Sequence, residues 1–188
     1  LGFIGGDIGK LDRLEAEGVR MASLVWNFQN LLASPNLLFK GGEPLFFASN
    51  GEGLTPLGRR VCERLDELKI IIDISHLSDG GANEILAGRK IPLVASHSNA
   101  RGVCGVCRNL DDETIKKIAD CGGAVGINFC SDFLGGPAYE SIYDHLSHLL
   151  KVGGEDVVAI GSDFDGIPVT EGLENCLKVG ELLEYLSK

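Results

Sequence analysis

Short apolar runs alternate with longer amphipathic segments along this 188-residue chain. That rhythm restricts the fold more than any other feature of the sequence. "VRMASLVWN" (19–27), "KIIIDIS" (69–75), "IPLVASH" (91–97), "AVGINFC" (124–130) and "DVVAIGSDF" (156–164) read as strands. Between and around them lie helical patterns. "DIGKLDRLEAEG" (7–18) sets Leu11 and Leu14 on one face, and "TPLGRRVCERLDEL" (55–68) offers Thr55 as N-cap with Pro56 at the first helical position. "SDGGANEILAG" (78–88) carries two awkward glycines, and "DDETIKKIADCGG" (111–123) has acidic residues in its first turn. "YESIYDHLSHLLKVGG" (139–154) and "NCLKVGELLEYLSK" (175–188) complete the helices, and residues 28–53 read as a loop rich in Asn, Pro and Gly.

The strands are continuously apolar, as expected of a parallel sheet covered on both faces. Either a doubly wound sheet or a (β/α) barrel fits that pattern. The strand ends favour the barrel, because each finishes on a polar or hydrogen-bonding residue: Trp26 and Asn27, His76, His97, Asn128 and Asp163. A barrel gathers its chemistry on that carboxyl rim from several strands. A doubly wound sheet concentrates it at one switch point and is expected to carry a glycine-rich phosphate loop, and the sequence has no convincing GxGxxG or GxxxxGK.

Composition narrows the partners. A net charge of -10 disfavours nucleic acid and anionic membrane surfaces, which would repel the chain. No apolar stretch reaches the ~18 to 20 residues of a transmembrane helix. With 44% apolar residues the chain can fill one sizeable core and needs no covalent staples. The six cysteines are therefore read as reduced thiols in a cytoplasmic protein. "CGVC" (Cys104 to Cys107) could be half a zinc knuckle or a redox pair, but no second CxxC completes a knuckle.

His76 and His97 occupy matched positions after two successive strands. A histidine bonded to a nearby carbonyl would explain one such case, whereas a matched pair points to imidazoles converging on a metal ion. His145 and His148 lack any accompanying carboxylate pattern and read as packing or helix-surface residues. In "GSDFDG" (161–166), Asp163 falls where it would point into a barrel mouth as a proton shuttle, while Asp165 before Gly166 suits an Asx turn. Arg108, in the loop after the His97 strand, is either a bidentate grip on a substrate carboxylate or phosphate or an exposed surface arginine.

At these residues the chain resembles the membrane dipeptidase family. The matching pieces are "EGVRMASLVWN", "GLTPLGRRV", "IDISHLSD", "SHSNARGVCGVCRNL" and "GSDFDGIP", in order along nearly the whole chain. The resemblance implies a (β/α)8 TIM barrel of the metal-dependent hydrolase type, acting on dipeptides through a hydroxide activated by two zinc ions. His76 and His97 match the histidine ligands of one zinc, and Arg108 matches the arginine that holds the substrate's terminal carboxylate. Asp163 matches the aspartate that handles the proton at the scissile nitrogen. Trp26 stands where mammalian members have a substrate-contacting histidine, and with Asn128 it is the remaining expected substrate contact.

The departures are absences. The family's HxD pair and bridging glutamate have no counterpart, and "LGFIGGDIGKLDRL" looks like the segment just past that glutamate. Residues 1–188 are therefore expected to be the C-terminal portion of a single barrel domain, about five of eight βα units. Alone, the chain is expected to bind metal weakly and to be inactive, with its sheet edges covered by self-association or by further polypeptide. Rival readings are another binuclear amidohydrolase acting on a lactone, lactam or ester, and a non-catalytic binding protein on a decayed barrel.

Overall fold

The computed structural model describes residues 1–168 and 170–187. Its strands are β1 (Met21–Ser23), β2 (Leu38–Lys40), β3 (Glu43–Leu45), β4 (Ile71–Asp73), β5 (Val94–Ala95), β6 (Ala124–Asn128) and β7 (Val158–Ser162). Its helices are α1 (Lys10–Ala16), α2 (Pro56–Glu67), α3 (Asp79–Leu86), α4 (Asp112–Asp120), α5 (Ser131–Leu134), α6 (Ala138–Gly153) and α7 (Lys178–Leu186). The five apolar runs read from the sequence become one parallel sheet in the order β1-β4-β5-β6-β7. That order never reverses. A doubly wound sheet must reverse at its switch point, so the winding is that of a (β/α) barrel, of which the chain forms five strands.

Local rules account for most element boundaries. Thr55 caps α2 as expected, its hydroxyl accepting from the Gly58 N–H at 2.9 Å. Ser78 and Asp111 cap α3 and α4 in the same way. The two glycines of α3 have a steric cause: a Cβ on Gly80 would stand 2.2 Å from the Gly51 carbonyl oxygen, and one on Gly81 would stand 2.9 Å from the Leu77 side chain. The start of the helix is thus pressed onto the loop before α2.

Two details differ from the sequence reading. Residues 28–53 are not all loop, because β2 and β3 form an antiparallel hairpin pairing Leu38 with Leu45. Its turn is Gly41–Gly42, both at positive φ (63° and 91°), the geometry that matches the twist of a two-residue hairpin. The strand expected over 91–97 forms a ladder only at Val94–Ala95, and past it the Ser96 and His97 N–H groups donate to the side chains of Asp73 and Ser75.

Strand residues Ile72, Val125 and Ile127 and helix residues Leu65, Ile115 and Ile142 are all fully buried in one cluster. Each such side chain contributes roughly 1.5–3 kcal/mol relative to an exposed position. His145 on α6 is buried in the same layer. Its Nδ1 accepts from the Ala100 N–H at 3.2 Å, and its Nε2–H donates to the Leu134 carbonyl at 3.1 Å. It therefore packs as a neutral imidazole. His148, one turn on, pairs with Asp112 of α4 at 2.7 Å.

Burial lowers the pKa of His145 below its ordinary value. Below about pH 6.5 the unfolded chain takes up a proton that the folded chain excludes, so stability falls as pH drops. Urea unfolding at pH 7 and pH 5 should show this loss. A His145→Gln variant should have a shallower slope, by up to about 1.4 kcal/mol per pH unit; equal slopes would refute the bonding role.

Candidate active site

The carboxyl ends of β4 and β5 lie side by side, and His76 and His97 follow them directly. Their Nε2 atoms are 2.9 Å apart, with ring centroids 4.9 Å apart and planes tilted by 60°. The outward nitrogens determine which atoms carry protons. His76 Nδ1 lies 3.0 Å from Asn27 Oδ1, an acceptor, so Nδ1–H donates. His97 Nδ1 lies 2.7 Å from Ser96 Oγ, whose own proton goes to Asp73 Oδ2 at 2.6 Å, so here too Nδ1–H donates. Both Nε2 atoms are left as bare lone pairs aimed at each other.

Two facing lone pairs at this distance repel, and a cation bound by both relieves the repulsion. A proton is disfavoured: burial, the Arg108 charge and His97 push the His76 pKa down to about 3, and burial with Arg108 lowers that of His97. A zinc ion bonds nitrogen at about 2.0–2.1 Å, so two ligands sharing one ion lie within about 4.2 Å of each other. The pair meets that condition with the neutral imidazoles such an ion requires, and it fits a metal. It is half of a site: among the described residues no group of three or more His, Cys, Asp or Glu is placed to hold an ion, whereas a catalytic zinc normally takes three protein ligands.

Asp163 faces the same space. With His76, His97 and Trp26 it lines a cavity of about 520 Å³, and with Trp26, Asn27, His76 and Arg108 it lines a second of about 330 Å³. Asp163 sits in strained backbone, for it and its non-glycine neighbours Ser162 and Asp165 all have positive φ (69°, 28° and 64°). Such strain persists only where the surroundings enforce it and collects at functional sites. Asn128 supplies part of that enforcement, its Nδ2 donating to Asp163 Oδ2 at 3.0 Å and its Oδ1 accepting from the Cys130 N–H at 2.7 Å. Asn128 is fully buried and lines neither cavity. Its amide holds Asp163 rather than facing the cleft, unlike the contact expected from sequence.

Arg108 is not the surface arginine that sequence left open, being only 2% exposed. One guanidinium nitrogen donates to the Ser75 carbonyl, and the group lies 5.3 Å from the centre of the Phe133 ring. Burial lowers its pKa to about 10, against the opposing pull of Asp163. The loop that carries it is pinned by a forked pair between Arg101 and Asp79 at 2.8 and 3.0 Å. Trp26, 62% exposed, forms one side of the cleft mouth with Phe28, edge-on at 5.9 Å, and Phe39, stacked on Phe28 at 5.7 Å.

Asp73, Ser75 and Ser96 escaped the sequence reading, which took Asn27 only as a polar strand end. A signal was present, since both histidines directly follow a serine, at Ser75 and Ser96. "CGVC" is no metal knuckle among the described residues: Cys107 is buried with its thiol on the Leu45 carbonyl, and all six cysteines are free.

Residues 2–188 match the model of "Membrane dipeptidase (Peptidase family M19)". The chain belongs to the membrane dipeptidase family. It is 34% identical over 193 residues to an uncharacterised protein from the pqqA 5′ region of Klebsiella pneumoniae, covering 98% of this chain and 69% of that one. It is 33% identical over 172 residues to an uncharacterised dipeptidase of Schizosaccharomyces pombe, covering 88% of this chain and 40% of that one. In structure it is similar to a metallopeptidase of Rhodobacter sphaeroides liganded with a phosphinate mimic of the dipeptide L-Ala-D-Ala. The TM-score is 0.87 at 33% identity, over 97% of this chain and 53% of that chain. The membrane dipeptidase fold is thus shared along almost the whole length of the chain, which spans about half of the solved relative.

Zinc titration against a competing indicator tests the histidine pair. His76→Ala and His97→Ala should each weaken binding at least about tenfold, whereas His148→Ala, on a surface pair, should leave it unchanged.

Proposed function

We propose that the chain carries the C-terminal catalytic half of a zinc-dependent dipeptidase, acting on short peptides with a free terminal carboxylate. The observation that carries this reading is the convergence of two bare imidazole nitrogens beside a buried arginine and a strained aspartate in one cleft. A metal held by His76 and His97, with ligands from outside this set, would supply Lewis acidity and an activated water. Arg108 then grips the substrate carboxylate. Its guanidinium has five N–H donors in a planar fork, and burial leaves an anion as its natural complement. Asp163, facing the pair across the cavity, holds the proton destined for the leaving nitrogen. Trp26, Phe28 and Phe39 wall off water on the open side. The 330 Å³ cavity lies at the small end of the range for ligand sites, which suits a dipeptide.

Two histidines make a weak site, so the 188-residue chain by itself is expected to show little or no turnover. Six free thiols, in a chain whose core needs no covalent staples, support a reducing, cytoplasmic setting. Among the described residues no helix is long and apolar enough to cross a membrane.

The test is an assay of the enzyme containing this chain with L,L and L,D dipeptides, their C-terminal amides and simple lactones, with and without chelator. Dipeptides should be hydrolysed and chelation should abolish turnover. Arg108→Lys should raise KM about 10- to 100-fold, as expected for a lost charged hydrogen bond of about 1.5–3 kcal/mol. Amidation of the substrate should have the same effect on the unaltered enzyme. Lactone turnover without dipeptide turnover would overturn the reading.

A further inference from the structure

Beneath both histidines lies the carboxylate of Asp73, 6% exposed. It accepts five hydrogen bonds: from Ser23 Oγ at 2.9 Å, Ser75 N–H at 3.1 Å, Ser75 Oγ at 2.8 Å, Ser96 N–H at 3.0 Å and Ser96 Oγ at 2.6 Å. The donors come from β1, the end of β4 and the end of β5, three adjacent strands. Such a set fills the acceptor capacity of a carboxylate, and it outweighs the cost of burial, so the Asp73 pKa stays lowered.

We infer that Asp73 is a positioning residue that acts through Ser96 to keep the His97 proton on Nδ1 and its Nε2 bare. An ionised Asp73 can only accept, so the single hydroxyl proton of Ser96 is committed to it. Ser96 Oγ then has only lone pairs to offer His97 Nδ1, and the imidazole must donate there. Were the hydroxyl free to turn, it could donate to Nδ1, move the ring proton to Nε2 and convert a ligand atom into a donor. Ser75 reinforces the arrangement, its hydroxyl donating to Asp73 while accepting the His97 backbone N–H at 3.0 Å. His76 is set separately by Asn27 and serves as an internal control. The role rests on the proposed metal-ligand reading of the histidines, but the tautomer can be read without any metal.

The experiment uses the 188-residue chain, ¹⁵N-labelled and metal-free. Long-range ¹H–¹⁵N spectra report the tautomer of each of its four imidazoles, and zinc titration follows on the same samples. His97 should be the Nδ1–H tautomer in the unaltered chain. Ser96→Ala should shift it toward Nε2–H and weaken zinc binding about 10- to 100-fold, and Ser96→Thr should restore both. Asp73→Asn should invert the relay, because its amide can donate to Ser96 and turn the hydroxyl proton onto His97. His76 should keep its tautomer throughout, and circular dichroism should confirm folding. Where Asp73→Asn fails to fold, the Ser96→Ala and Ser96→Thr pair decides alone. An Nε2–H tautomer of His97 in the unaltered chain, or no change in Ser96→Ala, overturns the inference. A relay that behaves as stated supports the inference whether or not this half-site retains zinc; failure of the metal reading would show instead as chelator-insensitive turnover by the enzyme containing this chain.

Discussion

Everything at the carboxyl rim follows from two imidazoles brought nose to nose with their lone pairs inward. Such a contact repels, a cation shared by both rings relieves it, and the surroundings make a proton a poor candidate. Burial and the Arg108 guanidinium both oppose protonation of His76. The fold therefore spends stability to hold a gap of one shape and one sign. A solitary core histidine needs nothing of the kind, as His145 shows: both of its nitrogens are satisfied by backbone groups, and it joins α6 to the loop after β5.

The rest of the rim balances that pair. Arg108 and Asp163 are opposite charges beside the histidines: Asp163 opposes the fall of the Arg108 pKa, and the two pull that of His97 in opposite directions. Neither is saturated by partners among the described residues. Arg108 keeps donors beyond its bond to the Ser75 carbonyl, and Asp163 has one carboxylate oxygen tethered to Asn128 while facing the cavity. On the proposed function, a peptide entering with a free carboxylate at one end and a leaving nitrogen at the other would find both complements already placed, which is the preorganisation that limits the cost of binding.

How much of this could be read from the sequence depends on how local each cause is. The strand ends, the Thr55 cap and the matched histidines were legible because each is written within a few residues. Barrel winding was legible only as a preference, and the unreversed strand order decided it. The hairpin at 38–45 was missed although Gly41–Gly42 marked its turn, because polar composition around it read as loop. Asn128 stood at the right place for a contact, yet its amide was taken by a neighbour 35 residues away, and no local pattern reports that. Asp73 was invisible for the same reason: its five donors come from three strands, and in sequence it is merely the polar residue of an apolar run.

The left-handed backbone at Ser162, Asp163 and Asp165 carries one further consequence. Residues other than glycine tolerate that conformation at a cost of about 1–3 kcal/mol each. Asp165 lines neither cavity that holds the histidines. A laboratory lineage selected for heat resistance would thus tend to acquire glycine at position 165 early, and would resist the same exchange at 163, where side chain and contortion are needed together.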